Sequence, residues 1–328
     1  MARPLFEDAT MNATPSLTLP CAHAPRVYSA DDLCRAMRAP RLVLPDASGL
    51  DRVLRHDAVH GLLEVQSGAP WSALAAHGGG AFGAGTVGAS VAANAAGPDG
   101  QPVVAHVRSV TVASADGELR RASRERAPDL FRLAVGGFGV FGPFYSVTLD
   151  IASVARAAAG APAPVCLGLP CGVVEGARFA VELLLPPHAS EGFVGQARAE
   201  LEDRRARLSR FEARRTMPEE ATFLRWARRD YAALLIEYRM RDTVGGHLGG
   251  TQLRARLIEL AVAAGGSFSP AHLPHATRAQ AAHCYPMLGE FLAEKRRYDP
   301  AERVAGTWYR DVRSLWQRGS GASRGTRG

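Results

Sequence analysis

DLFRLAVGGFGVFGPFYSV, residues Asp129–Val147, is the stretch on which the fold turns. Gly136, Gly137, Gly139 and Gly142 stand there among apolar residues. The letters from Gly137 to Gly142 spell GxGxxG, the fingerprint of a dinucleotide-binding βαβ unit. That fingerprint follows a strand, opens a helix and precedes an acidic residue at the next strand. Here it follows a helix-like stretch and leads into a strand-like run, Phe144–Ile151. The order is wrong for a nicotinamide Rossmann domain, which is rejected on that ground.

Two more glycine segments lie upstream. Leu62–Leu74, LLEVQSGAPWSAL, reads as a strand, a glycine turn and the start of a helix. Gly83–Gly97, GAGTVGASVAANAAG, has small residues at almost every position. Such residues let backbone approach a ligand or another backbone closely. Bare N–H groups in such a stretch can cradle phosphate oxygens.

Downstream, Val154–Pro170 is Ala/Pro/Gly-rich and reads as a linker. Beyond it the elements lengthen. Ala177–Leu185 is a strand stopped by Pro186 and Pro187. Gly192–Ala213 reads as a helix, with Val194, Ala197, Leu201, Leu208 and Phe211 at helical spacing. Its arginines (Arg198, Arg204, Arg205, Arg207, Arg210, Arg214 and Arg215) then form a solvated face; no nucleic-acid motif accompanies them. Thr222–Ala227 reads as a weak strand and Tyr231–Met240 as a strong one. Thr251–Ala264 is a helix stopped by Gly265, and Gly266–Phe268 starts a last strand. The order β-α-β-β-α-β is the split βαβ, ferredoxin-like pattern, which fixes an α+β class and no chemistry.

The chain has 328 residues, 47% hydrophobic, enough for two domains. A formal charge of +7 favours anionic partners without choosing among them. The five cysteines form no CxxC pair. Only Cys166 and Cys171 lie close together, so no zinc site is expected and free thiols in a reducing cytoplasm are. The N-terminus lacks an apolar signal region and no run is long enough for a membrane span, so the expectation is a soluble cytoplasmic protein.

The segments together resemble the FAD domain of the vanillyl-alcohol-oxidase family, also called the p-cresol-methylhydroxylase type. The resemblance rests on Glu64–Leu74, Thr86–Ala89, the strand and Ala-Asp-Gly-Glu of Val110–Leu119, Asp129–Phe131 and Gly136–Gly142. Ser48–Asp57 fits as well. The end, FLAEKRRYDPAERVAGTWY (Phe291–Tyr309), resembles the family's Lys-x-x-x-Asp-Pro closing segment. The bacterial sugar and sugar-lactone oxidase branch looks most similar. The resemblance implies a two-part, shortened FAD-binding domain over 27–153, a ferredoxin-like cap over 172–290 and a closing segment over 291–315. A loose arm (1–26) and a disordered tail (316–328) flank them. It implies FAD against Gly85, Thr86, Val87, Gly88, Ala89, Ala93, Asn94, Ala95, Ala96, Gly142 and Phe144. The implied activity is oxidation of an alcohol of a sugar, sugar lactone or alditol, with flavin N5 accepting hydride and a base taking the hydroxyl proton. His272 is the one titratable group at the matching cap position, and a positioned imidazole suits that base.

The chain departs from the family between Met37 and Asp46. An Arg-Gly-x-Gly-x-Ser-like loop is expected there to wrap the pyrophosphate and, in many members, to supply the histidine that bonds the flavin. Only RAPRLVLP (Arg38–Pro45) stands in its place. Each lost charge-assisted hydrogen bond is worth about 1.5–3 kcal/mol. FAD is therefore expected to be non-covalent and weakened. The second function class is a degenerate, non-catalytic relative acting as a binding protein or subunit. Substrate, electron acceptor and oligomeric state are not legible.

Overall fold

The computed structural model describes residues 24–80, 83, 85–160, 165–166 and 175–318. Most of the expected arm, much of the linker, the end of the tail, and Cys21 and Cys171 lie outside the described residues.

A small unit comes first. Helix α1 (Ala30–Arg38) is capped by Ser29, whose hydroxyl accepts from Asp32 N, and buries Leu33 and Met37. The chain on either side pairs in parallel at Arg26 and Asp46. The result is a minimal β-α-β turn with its own core of Val27, Leu33, Met37, Leu50, Ala113 and Val304.

The first sheet follows, built from β1 (Val53–Asp57), β2 (Leu62–Gln66), β3 (Val107–Ala113), β4 (Leu119–Ser123) and β5 (Phe144–Asp150). Its order is β1-β2-β5-β3-β4 and every pair is antiparallel. A doubly wound parallel sheet is thereby ruled out, in keeping with the rejected Rossmann reading. Helices α2 (Val87–Ala93) and α3 (Pro128–Ala134) lie within the same span. Helix α4 (Ile151–Ala159) occupies the start of the expected linker, because Asp150 caps it through Ser153 N at 2.9 Å.

The second sheet comprises β6 (Val165–Cys166), β7 (Ala177–Leu185), β8 (Arg207–Thr216), β9 (Tyr231–Met240) and β10 (Ser267–Phe268). Its order is β10-β7-β9-β8-β6, again wholly antiparallel. Helices α5 (Ser190–Asp203) and α6 (Val244–Ala263) connect the strands. Two expectations need correction. The helix expected over Gly192–Ala213 ends at Asp203, Arg205 turns the chain at φ 51°, and Arg207–Thr216 is strand. The same Leu208 and Phe211 that fit a helical stripe fit a strand with a bulge between 208 and 210. Thr222–Ala227 is not a strand. Glu219 curls it into a turn by accepting from Ala221 N (2.7 Å) and Thr222 N (2.9 Å). Helix α6 also starts earlier than Thr251, because Thr243 caps it through Gly246 N.

Helices α7 (Arg278–Cys284), α8 (Leu288–Tyr298) and α9 (Thr307–Gln317) return the chain between the sheets. Phe291 meets Phe141 at 5.4 Å and Phe223 at 6.1 Å, and Phe138 stacks on Trp308 at 4.4 Å. One continuous core joins both sheets. No helix of the described residues is long and apolar enough to cross a membrane.

Candidate cofactor site

The glycine segments converge. Helix α2 sits on the turn that leaves β2. Val87 N donates to Ala69 O (2.9 Å), Gly88 N to Ser67 O (2.8 Å) and Trp71 N to Gly85 O (3.3 Å). A Cβ on Gly88 would stand 2.6 Å from Ser67 Cβ and 2.7 Å from Ser67 O, so glycine is required there by the protein's own backbone. The Gly136–Gly142 turn closes over the other end of α2. Gly136 N donates to Val91 O and Phe138 N to Ala92 O. A Cβ on Gly142, whose φ is 131°, would lie 2.0 Å from Ala113 O. The two stretches expected to border a cofactor are thus neighbours.

The expected contact residues fall into two groups. Gly85 and Ala89 are exposed, and Thr86, Ala93, Ala95 and Ala96 are half-buried. Ala89 and Ala93 are four residues apart on α2 and share one helical face, and Gly85 stands just before the cap residue Thr86. Val87, Gly88, Asn94, Gly142 and Phe144 are buried and touch protein instead.

Asn94 is the clearest case of the second kind. It ends α2 in the left-handed region at φ 47° and is fully buried. Its Oδ1 accepts from Val104 N (3.0 Å), its carbonyl from Trp226 Nε1 (2.8 Å), and its Nδ2 donates to Glu219 Oε1 (3.3 Å). Thr222 Oγ1 donates to the same carboxylate oxygen. Phe223 N donates to Arg132 O at 2.8 Å beside α3. Glu219 and Trp226 carried no sequence signal, since their partner lies more than a hundred residues upstream.

His272, the expected base, acts in the structure as a brace. It is 4% exposed, and its Nε2 accepts the backbone N–H of Glu182 at 3.0 Å. Burial, with Arg254 and His275 nearby, pushes its pKa down to about 3. The lone pair that would take a substrate proton already holds the β7 backbone.

The closing segment is internal as well. Lys295 is fully buried, and its Nζ donates to Asp299 Oδ2 at 2.5 Å. Burial lowers the lysine pKa, while the Lys295 ammonium and the N–H groups of Val304 and Arg303 draw the Asp299 carboxyl down against its own desolvation. Arg303 donates to Met37 O (2.9 Å), Ala39 O (2.6 Å) and Ala115 O (3.1 Å). It pins the place where the expected loop would begin. Onward, Ala47–Leu50 packs against Gly68, where an added Cβ would be 2.4 Å from Ala47 O.

These residues fit a flat ring better than a pyrophosphate. The exposed stripe is methyl and backbone. The N–H groups of Val87, Gly88 and Ala89 already donate to Ala69 O, Ser67 O and Thr86 Oγ1. They offer no phosphate cradle.

Residues 30–123 match the family model described as an FAD binding domain. The matched span runs from the first residue of α1 to the last of β4. The match supports an FAD-binding domain over this span of the chain. None of the curated proteins compared matches the chain.

Proposed function

We propose that the chain is an FAD-dependent oxidoreductase that oxidises an alcohol of a sugar, sugar lactone or alditol. The observation that carries the reading is the FAD binding domain match over 30–123, on the residues that bring α2 and its exposed small-residue face together. In this reading 27–153 is a shortened FAD-binding domain, 172–290 is a ferredoxin-like cap and 291–315 returns to the first domain. The strand order β10-β7-β9-β8 with its two connecting helices supports the cap, since the split βαβ pattern gives that order. FAD is held non-covalently and weakly, because Arg38–Pro45 replaces the phosphate loop.

A second reading, a non-catalytic relative acting as a binding protein or subunit, is favoured by one observation. The expected base, His272, is buried and already bonded. A visible spectrum decides between them. The oxidoreductase retains or takes up FAD with absorbance near ~450 nm, and the band bleaches anaerobically with a substrate from an alditol and sugar-lactone panel. A chain that takes up no FAD, or takes it up and is bleached by none of the panel, supports the second reading.

A further inference from the structure

One face of the second sheet packs on helix α6, and on the other face the end away from the first sheet carries the exposed Arg178 and Arg207. Phe179 and Tyr238 mark the packed face. The Phe179 ring lies against Gly250 of α6, and Tyr238 Oη donates to Gly250 O at 2.8 Å. Successive side chains alternate, so Arg178 and Arg239 project to the opposite face. In the antiparallel register Arg178 stands opposite Arg239, and Arg239 stands opposite Arg207. Three adjacent strands thus place three arginines in one row. Strands lie about 4.8 Å apart, so the row spans roughly 10 Å.

Like charges directly opposite on neighbouring strands destabilise a sheet. The rows behind this one are neutralised. Arg210 pairs with Glu212 at 2.6 Å and Glu237 at 3.8 Å, and Arg214 with Glu182 at 2.9 Å. In the end row only Arg178 reaches a carboxylate, Glu237, at 2.9 Å along the diagonal. Arg239 donates to Gly176 O at 2.8 Å. Neither Arg239 nor Arg207 has a carboxylate partner among the described residues, and Arg207 is exposed.

The row is remote from the cofactor face. It lies at the start of the 10-residue strand β8. The other end, roughly 30 Å away, meets the turn between α2 and β3, where Met217 N donates to Gly100 O at 2.8 Å.

We propose that Arg178, Arg239 and Arg207 form a binding site for a compact oxyanion, the phosphate or pyrophosphate group of a small metabolite. Planar guanidinium groups on adjacent strands present paired N–H donors to the oxygens of one such group. The anion also removes the repulsion within the row. Glu237, Glu182 and Glu212 stand directly behind, so an extended polyanion running along the strands meets carboxylates and is disfavoured.

Calorimetric titration of the full chain with sodium pyrophosphate at constant ionic strength tests this, beside thermal unfolding. Pyrophosphate binds the wild-type chain and raises its Tm. Arg207→Gln weakens binding about tenfold, the loss of one charge-assisted contact. Without pyrophosphate that variant melts no lower than wild type, because a like-charge neighbour is gone. Arg207→Lys keeps part of the affinity, and Arg55→Gln, an exposed arginine on β1, changes nothing. The proposal is overturned if the wild type does not bind, if Arg207→Gln binds equally well, or if Arg55→Gln weakens binding as much. Displacement by FAD overturns it by moving the anion to the cofactor face. An oligonucleotide that binds more tightly than pyrophosphate through Arg207 overturns it in favour of nucleic acid.

Discussion

Asn94 Nδ2 donates to Glu219 Oε1 at 3.3 Å, across 125 positions of sequence. The bond joins the end of α2, on the first sheet, to the turn between β8 and β9 of the second. Asn94, which the resemblance places at the cofactor, holds the two halves of the molecule together. Asn94→Ala leaves the Val104 N–H without its buried acceptor and removes one donor from Glu219. Each unsatisfied buried group costs about 1–3 kcal/mol. Urea unfolding is expected to show a loss of that size, and hydrogen exchange is expected to quicken at 217–227. Unchanged exchange there would refute the bridging role.

Gly88 and Ala89 are adjacent and behave oppositely. A side chain at Gly88 strikes Ser67, so Gly88→Val unfolds or destabilises the chain by about 1–3 kcal/mol. It therefore reports on folding and not on flavin. Ala89 is exposed, and Ala89→Leu is expected to alter stability by less than about 0.5 kcal/mol. If FAD lies on the α2 face, that bulk lowers flavin uptake. Equal uptake by wild type and Ala89→Leu removes the face from the site.

The flavin is expected to leave with acid. No histidine stands between Met37 and Asp46 to bond it. Trichloroacetic acid precipitation of FAD-loaded protein releases yellow colour to the supernatant. Colour kept in the pellet contradicts the non-covalent reading.

His272 makes the fold sensitive to acid. Its folded pKa, about 3, lies below the ordinary value of about 6.5. The unfolded chain therefore binds the proton first. The contribution is fully present above pH ~6.5 and falls progressively between ~6.5 and ~3, at up to about 1.4 kcal/mol per unit. His275, lowered to about 4 by burial and Arg254, adds to the same window. His272→Gln keeps an acceptor for Glu182 N and is expected to flatten the pH profile of Tm over that range. A profile as steep as wild type assigns the acid loss elsewhere.

Lys295 and Asp299 form a buried pair whose members depend on each other. Lys295→Met leaves the Asp299 carboxylate buried with only the backbone N–H groups of Arg303 and Val304. Removing one partner of such a pair costs about 3–5 kcal/mol. Chemical denaturation checks the figure, and a loss below about 1 kcal/mol would mean the carboxylate is reached by water.

What could be read from sequence followed local chemistry. Ala177–Leu185 and Tyr231–Met240 were legible to the residue, because runs rich in aliphatic and aromatic residues meet hard stops at Pro186 or polar turns. Gly265 was legible as a left-handed stop and has φ 74°. Strand β8 was not, since Leu208 and Phe211 satisfy both periodicities and only pairing with β9 decides between them. The glycine segments were legible as places of close approach. What approaches was not, because Ser67 and Ala113 fill Gly88 and Gly142 through contacts that no local pattern encodes. His272 looked free for the same reason; its partner, Glu182 N, is 90 positions away.

Arg303 reaches Met37 across 266 positions of sequence. The small β-α-β turn around α1 shares its core with Val304. A ribosome emits that turn long before its anchor, 266 positions further on. Closing so long a loop carries an entropic cost that only the finished chain can offset. The nascent N-terminal third is therefore expected to stay open to proteases and chaperones until α8 and the segment behind it emerge, and truncation before Arg303 leaves it without its clasp.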